Sequence, residues 1–305
     1  MKIGIPRALL YYRYGILWKT FFESLGFETV LSPKTNKQIM DAGDQYTVDE
    51  NCISSKLFFG HIAALEGRCD AVFVPRIASL GTGALMCSRF EALYDMSRNI
   101  FRSHDLDFLT CNVDVQQGIS AKTAYIRLGE ELGATRGEAE YAYRVALSAQ
   151  AEEIRRKIRE AEELTKRSET KVLICGHPYN MYDEYIGVPV LRGVRNLHAI
   201  PICTDAVDLR KARAEAPAIA PYVPWVTNRE QLGAIRHFRK HVDGIILMTA
   251  FPCGPDSMVN EMIIRKEEEL PILNLLLDAQ SGNAGIETRL ESFIDIIRFR
   301  KKVTL

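Results

Sequence analysis

Three of the seven cysteines stand where a thiol can do chemistry. Cys52 lies in DENCISSK (49–56), a loop just before a predicted helix. Cys87 lies in GTGALMCSRF (81–90), after a predicted strand and again ahead of a helix. Cys253 repeats the arrangement in AFPCGPDSMVNEMI (250–263), behind the apolar run DGIILMT (243–249). A helix N-terminus favours the thiolate, the soft ligand that iron–sulfur clusters and zinc accept. The spacings are long and no CxxC pair exists, so a zinc ribbon or a ferredoxin-type run is not supported. Spacing alone leaves two readings open. These are reduced core cysteines near turns, or one three-thiol site built from distant segments.

The other four cysteines sort by position. Cys69 precedes a strand, at the wrong end of a sheet for a ligand site, and reads as structural. Cys203 ends a strand with no chemistry around it. Cys111 and Cys175 also end strands and are candidates for additional ligands. Cys175 leads into the polar loop GHPYN (176–180).

The elements that must position these thiols alternate. Predicted strands at 2–5, 29–31, 70–74 and 108–111 are separated by helical patterns at 16–25, 53–65 and 89–101. Ser32–Asn36 carries turn and cap signals. Residues 144–166 are rich in Ala, Glu, Arg and Lys, good helix formers, and predict one long helix. A second strand series follows at 171–175, 199–203, 244–248 and 271–275, then a final helix at 286–300 with a basic end that suits its dipole. The expected fold is α/β, with two tandem flavodoxin/Rossmann-like domains, mostly parallel sheets and a long joining helix. The boundaries are 1–140 for the first domain, 141–169 for the helix and 170–305 for the second. Ligands in such folds bind outside the carboxyl ends of the strands, where Cys52, Cys87 and Cys253 fall.

Composition narrows the class. With 47% hydrophobic and 26% charged residues, the chain has material for a sizeable core. Its formal net charge is zero, which removes a global electrostatic case for nucleic acid or an acidic membrane. The start, MKIGIPRALL, lacks signal-peptide features and no run reaches the length of a membrane span. The expected location is cytoplasmic, where thiols stay reduced. No GxxxxGK(S/T) loop occurs, so the chain does not read as a P-loop ATPase. Gly81 and Gly83 supply turns.

The local segments MKIGIPRALL (1–10), FGH (59–61), PRI (75–77), CSRF (87–90), GHPYNMYD (176–183) and FPCGPDS (251–257) resemble one family. It is the acyl-CoA dehydratase activase-related group, relatives of the 2-hydroxyacyl-CoA dehydratase subunits. LDAQSGNAGIETRLE (277–291) resembles the dehydratase segment before the last helix. The likeness runs in order through nearly the whole chain. It implies flavodoxin-like domains and an iron–sulfur cluster, 4Fe–4S or related, held by three cysteines that match Cys52, Cys87 and Cys253. The usual Cys-Pro-Lys-Phe reads Cys-Ser-Arg-Phe here, and Ile-Ser-Ser-Lys follows Cys52 in place of a proline-containing version. Both changes keep a thiol and a cation.

Lys56 and Arg89 are then candidates to offset cluster charge, against a reading as solvated surface cations. His177, Tyr179 and Asn180 are candidates for a polar shell around cluster or substrate, with Asp183, against a loop-capping network. His61 reads as a satisfied core histidine rather than a ligand. Asp256 and Ser257 read as caps of the helix after Cys253, with Pro255 near its start. The resemblance also implies a partner, a separate ATP-hydrolysing activator that drives one electron into the cluster protein. The substrate would be an acyl-CoA, dehydrated through a ketyl radical, or another small molecule to be reduced. A dehydratase needs a second subunit, which this chain would supply only as a homodimer. The alternative is a non-catalytic iron–sulfur accessory protein that carries electrons or clusters.

Overall fold

The computed structural model describes residues 1–278 and 283–303. Part of the segment 277–291, namely 279–282, lies outside the described residues. The chain forms two compact units. One comprises Met1–Asn51, Ser55–Glu153 and Pro224–Val226; the other comprises Cys52–Ser54, Ile154–Val223 and Thr227–Leu305.

The first unit contains β1 (Lys2–Ile5), α1 (Tyr11–Ser24), β2 (Glu28–Leu31), α2 (Lys37–Gln45) and most of α3 (Ile53–Ala63). It continues with β3 (Ala71–Phe73), β4 (Arg76–Ser79), α4 (Ser88–Ile100), β5 (Asp107–Leu109), β6 (Asn112–Asp114) and α5 (Ala121–Glu131). The helix α6 (Arg136–Thr165) starts earlier than its composition suggests. The Thr135 hydroxyl and Glu138 form the capping exchange that starts it: Glu138 N donates to Thr135 Oγ1, and Thr135 N to Glu138 Oε2.

The main sheet has the order β2-β1-β3-β5, all parallel. β4 and β6 form a separate parallel pair that periodicity does not reveal, since they are only four and three residues long. Cys111 falls between β5 and β6, not within a strand as its sequence suggests. Aromatic side chains fill this core. Phe73 meets Trp18 and Phe22 edge-on at 5.4 and 5.0 Å, and Trp18 Nε1 donates to Tyr125 OH at 2.8 Å. Asn36 caps α2 as its type predicts, accepting from Ile39 N at 3.0 Å. Gly43 and Gly60 let α2 and α3 touch. A Cβ on either would lie 2.1 or 2.0 Å from a carbonyl oxygen of the other helix.

The second unit contains β7 (Thr170–Cys175), α7 (Pro178–Met181), α8 (Val188–Asn196), β8 (Ala199–Cys203) and α9 (Leu209–Glu215). It ends with most of α10 (Val226–Phe238), then β9 (Gly244–Ala250), α11 (Gly254–Lys266), β10 (Ile272–Leu277) and α12 (Asn283–Val303). Its sheet, β10-β9-β7-β8, is also wholly parallel. β9 is buried along its whole length, which explains its unbroken apolar run. Val172, Ile174, Ile246 and Met248 pack with Val190, Leu191 and Val194 of α8 and Phe293, Ile294 and Ile297 of α12.

Both sheets share one wiring. Counting strands from the start of each sheet, the order is 2-1-3-4. The chain leaves the first strand to one side and returns to its other side, so each unit has a switch point between its first and third strands. These are β1/β3 and β7/β9.

His61 is a satisfied core histidine. It is fully buried on α3, with Nδ1 2.8 Å from Ser32 Oγ and Nε2 2.9 Å from Thr35 Oγ1. Burial, then the nearby Arg7 charge, push its pKa down to about 3. An unfolded chain protonates this ring near 6.5. Between those values the folded protein binds fewer protons than the unfolded one. This contribution to stability is therefore fully present above pH 6.5 and is lost as the pH falls below it, by about 1.4 kcal/mol per unit. The His61 ring resonance should not titrate between about pH 8 and about pH 5; a midpoint near the ordinary histidine value would contradict the assignment.

Candidate functional site

The switch point of the second unit gathers the sequence's polar segments. Gly176 and His177 leave the carboxyl end of β7, and residues 251–253 leave that of β9. Cys253 is the N-cap of α11. Its N–H bonds Ala250 O at 2.7 Å, across a cis Phe251–Pro252 peptide. Its carbonyl accepts from Ser257 N at 3.1 Å and Ser257 Oγ at 2.8 Å. Pro255 lies in the first turn, where its missing N–H costs nothing. Ile53 N donates to Phe251 O at 3.1 Å, which ties the Cys52 segment to the Cys253 turn.

The thiols of Cys52 and Cys253 lie within electrostatic reach of each other. The expectation of a helix-stabilised thiolate fails for Cys253. Burial, then the Asp256 carboxylate, raise its pKa, and Cys52 adds to the rise; the Asp256 N–H works in the opposite sense but loses. A dipole worth a fraction of a charge does not outweigh a full carboxylate in a buried place.

Asp256 is not a cap. It lies buried in the first turn of α11 and its Oδ1 accepts from His177 Nε2 and Asn228 Nδ2, both at 2.8 Å. Burial opposes its ionisation, but the electrostatic attraction and hydrogen bond of His177, then the Asn228 amide and the Cys253 thiol, outweigh it and hold its pKa below the ordinary carboxylate value. Its Oδ2 is buried without a partner. Gln231 Nε2 approaches His177 Nδ1 at 3.1 Å. An amide NH₂ only donates, so Nδ1 is the acceptor and Nε2 carries the proton toward Asp256. Asn228 and Gln231 are three apart on α10 and so share one face. Sequence reading missed both. The only signal was two polar residues at helical spacing, which an exposed face would show equally well.

The rest of GHPYNMYD divides. Tyr179 stacks on His177, with centroids 4.9 Å apart and planes at 18°. Asn180 is fully buried. Its Oδ1 accepts from Ser54 Oγ at 2.7 Å, its N–H bonds His177 O at 2.8 Å, and its Nδ2 has no partner. Asp183 is the loop cap, accepting from Tyr185 N at 2.8 Å and Ile186 N at 3.2 Å.

The first unit holds the other sequence candidates. Cys87 is the N-cap of α4, with its carbonyl bonded by Phe90 N at 2.9 Å, and Arg89 lies half-buried in the first turn. The Lys56 ammonium is buried and paired with Asp44 at 2.8 Å. Gly83 takes φ 62°, the turn role expected of it. The remaining cysteines are packed. Cys69 donates to Leu65 O at 3.5 Å. Burial pushes Cys111 up to about 12 beside Tyr125, and raises Cys175. Cys203 does have chemistry around it. Burial, then Asp205, raise it to about 12, beside Tyr182 and a Lys157–Asp205 ion pair at 3.0 Å.

Among the described residues, no group of three or more His, Cys, Asp or Glu is arranged to hold a metal ion. No helix among them is long and apolar enough to cross a membrane.

Residues 2–207 match the family described as CoA enzyme activase uncharacterised domain (DUF2229). The chain belongs to this family. The match includes Cys52, Cys87 and the His177 loop and stops before α10 and α11, which carry Gln231 and Asp256. No curated protein matches the chain. Among solved structures it is similar to ZnuA, at 13% identity over 98% of each chain with a TM-score of 0.28. It is similar to the solute-binding protein FpvC from Pseudomonas aeruginosa in complex with Mn2+, at 12% identity over 98% of this chain and 97% of that one, TM-score 0.29. A Cd-bound periplasmic metal binding protein from Candidatus Liberibacter asiaticus gives 11% identity over 97% and 100%, TM-score 0.29.

Proposed function

We propose that this activase-family chain is an iron–sulfur protein that receives a low-potential electron from an ATP-hydrolysing activator and passes it to a substrate. The observation that carries the reading is the tie between the Cys52 and Cys253 segments at the carboxyl end of the second sheet, made by the Ile53–Phe251 hydrogen bond. The donor set fits a soft metal. Two thiols share one end of a sheet, and the raised Cys253 thiol is a poor nucleophile until a cation replaces its proton. Cys52 and Cys253 would supply two ligands, and the family resemblance implies Cys87 as the third.

A cluster held so supplies one-electron chemistry, and three protein ligands leave one iron for other oxygen or sulfur donors. The protein's own part is positional. Gln231 sets the His177 tautomer, His177 and Asn228 fix Asp256, and Asp256 lies against Cys253 in the first turn of α11. The dehydratase reading adds a 2-hydroxyacyl-CoA as substrate and a cytoplasmic setting, where thiols remain reduced. The family description, CoA enzyme activase, favours a partner that handles acyl-CoA.

The test is anaerobic purification with iron and sulfide analysis and electron paramagnetic resonance. The expected result is iron and inorganic sulfide in equal amounts and a reduced-cluster signal. Zinc, or no metal under strict anaerobiosis, overturns the reading. Turnover of an acyl-CoA with activator and ATP separates the enzyme from the second reading, an accessory carrier; no turnover across a broad panel favours the carrier.

A further inference from the structure

The first unit repeats the wiring of the second, so it has its own switch point, between β1 and β3. Among the described residues, one charged side chain there has no ion pair. Arg7 follows the carboxyl end of β1 by two residues, and its N–H donates to Ser32 Oγ at 2.8 Å. Its Nε is buried and has no hydrogen-bond partner. Among the described residues no carboxylate pairs with its guanidinium. The side chain as a whole is only half-buried, so its outer edge stays accessible.

The neighbours cannot supply the missing acceptor. His61 feels the Arg7 charge, but both its ring nitrogens are engaged by Ser32 and Thr35. Arg76, beyond the end of β3, behaves as arginines usually do: it pairs with Asp95 and lies over the Tyr94 ring at 5.0 Å. The loop holding Arg7 is also committed to its shape. Leu9 adopts φ 49°, a left-handed conformation unfavourable for a residue with a Cβ.

A buried, charged N–H without an acceptor is costly, and native proteins leave few of them. A planar guanidinium is completed best by two oxygens of one anion. Parallel α/β sheets take their ligands at this place, outside the strand ends at the switch point. We propose that the β1/β3 switch point binds an oxyanion, the phosphate or carboxylate group of a small molecule, through the Arg7 guanidinium. The proposal is independent of the metal reading, because every residue it uses lies in the first unit.

The experiment uses the full chain labelled with 15N, titrated at constant ionic strength with inorganic phosphate and separately with acetate. The readouts are the Arg7 Nε–H resonance, assigned by its loss in Arg7→Lys, and the thermal midpoint. At least one anion should move the resonance and raise the midpoint. A response to phosphate alone supports a phosphate-bearing ligand, to acetate alone a carboxylate, and to both an unselective oxyanion site. The apparent affinity should fall about tenfold or more in Arg7→Gln and hold in Arg76→Gln. If Arg7→Gln does not fold, Arg7→Lys, which keeps the charge and loses the fork, should still weaken binding. No shift of the resonance with either anion overturns the proposal, as does an equal response in the Arg7 variants.

Discussion

Cys253→Ala is expected to reduce bound iron to background after anaerobic purification, while Cys69→Ala keeps the wild-type content. The contrast rests on where each thiol sits. Cys253 is the N-cap of α11; the helix start is held by its backbone carbonyl, Ser257 and Pro255, and its thiol adds only a weak sulfur contact with Asp256. Alanine keeps those backbone contacts, so loss of iron would not be loss of fold. Unchanged far-ultraviolet circular dichroism should confirm that. Cys69 instead hydrogen-bonds Leu65 O and fills the space beside Gly4, where a Cβ would meet its sulfur at 2.5 Å. Its removal trims packing in the first unit and touches no ligand. A Cys253→Ala protein with a full cluster would show that the thiol is not a ligand, and a metal-free Cys69→Ala protein would move the site elsewhere.

Asp256→Ala is expected to destabilise the second unit by about 2–6 kcal/mol. His177 Nε2–H and Asn228 Nδ2–H would each lose an acceptor in a place water does not reach, at about 1–3 kcal/mol per orphaned donor. Asp256→Asn retains one carbonyl oxygen for these donors and should cost less. Urea unfolding followed by a probe in each unit measures the loss, since a two-unit chain need not unfold in one step. The carboxylate has a pH signature. Its folded pKa lies below the ordinary 3.8, so the unfolded chain takes up this proton first as the pH falls. The stabilisation from Asp256 is whole above that value and is lost as the pH drops through the lower folded value. Above about pH 5 the wild-type and Asn228→Ala proteins should differ by a constant amount. A neutral Asp256→Ala would mean that the buried quartet holds nothing in place.

Local signals carried the strands well where they were continuous. The runs at Lys2–Ile5, Ala199–Cys203 and Gly244–Ala250 are apolar because both faces of a parallel sheet are covered, so composition and burial agree. Asn36 capped a helix for the same reason any Asn does, through a side chain short enough to reach the third N–H on. β4 and β6 escaped because three- and four-residue strands carry no readable period. In FPCGPDS the local reading of Asp256 as a cap was reasonable and wrong. A carboxylate in a first helical turn has two uses, and which one it takes depends on whether distant donors arrive.

That division extends to the whole protein. The alternation of elements and the placing of Cys52, Cys87 and Cys253 ahead of helices follow from residues read in order, because each depends on neighbours a few positions away. Tertiary structure decided the identical 2-1-3-4 wiring of the two sheets, the tie between the Cys52 and Cys253 segments, the satisfied His61, the Gln231–His177–Asp256–Asn228 quartet and the Arg7 Nε buried without a hydrogen-bond partner. Each of these joins groups far apart in the chain. The free energy of a buried polar atom is set by the partner that reaches it, and no local pattern names that partner.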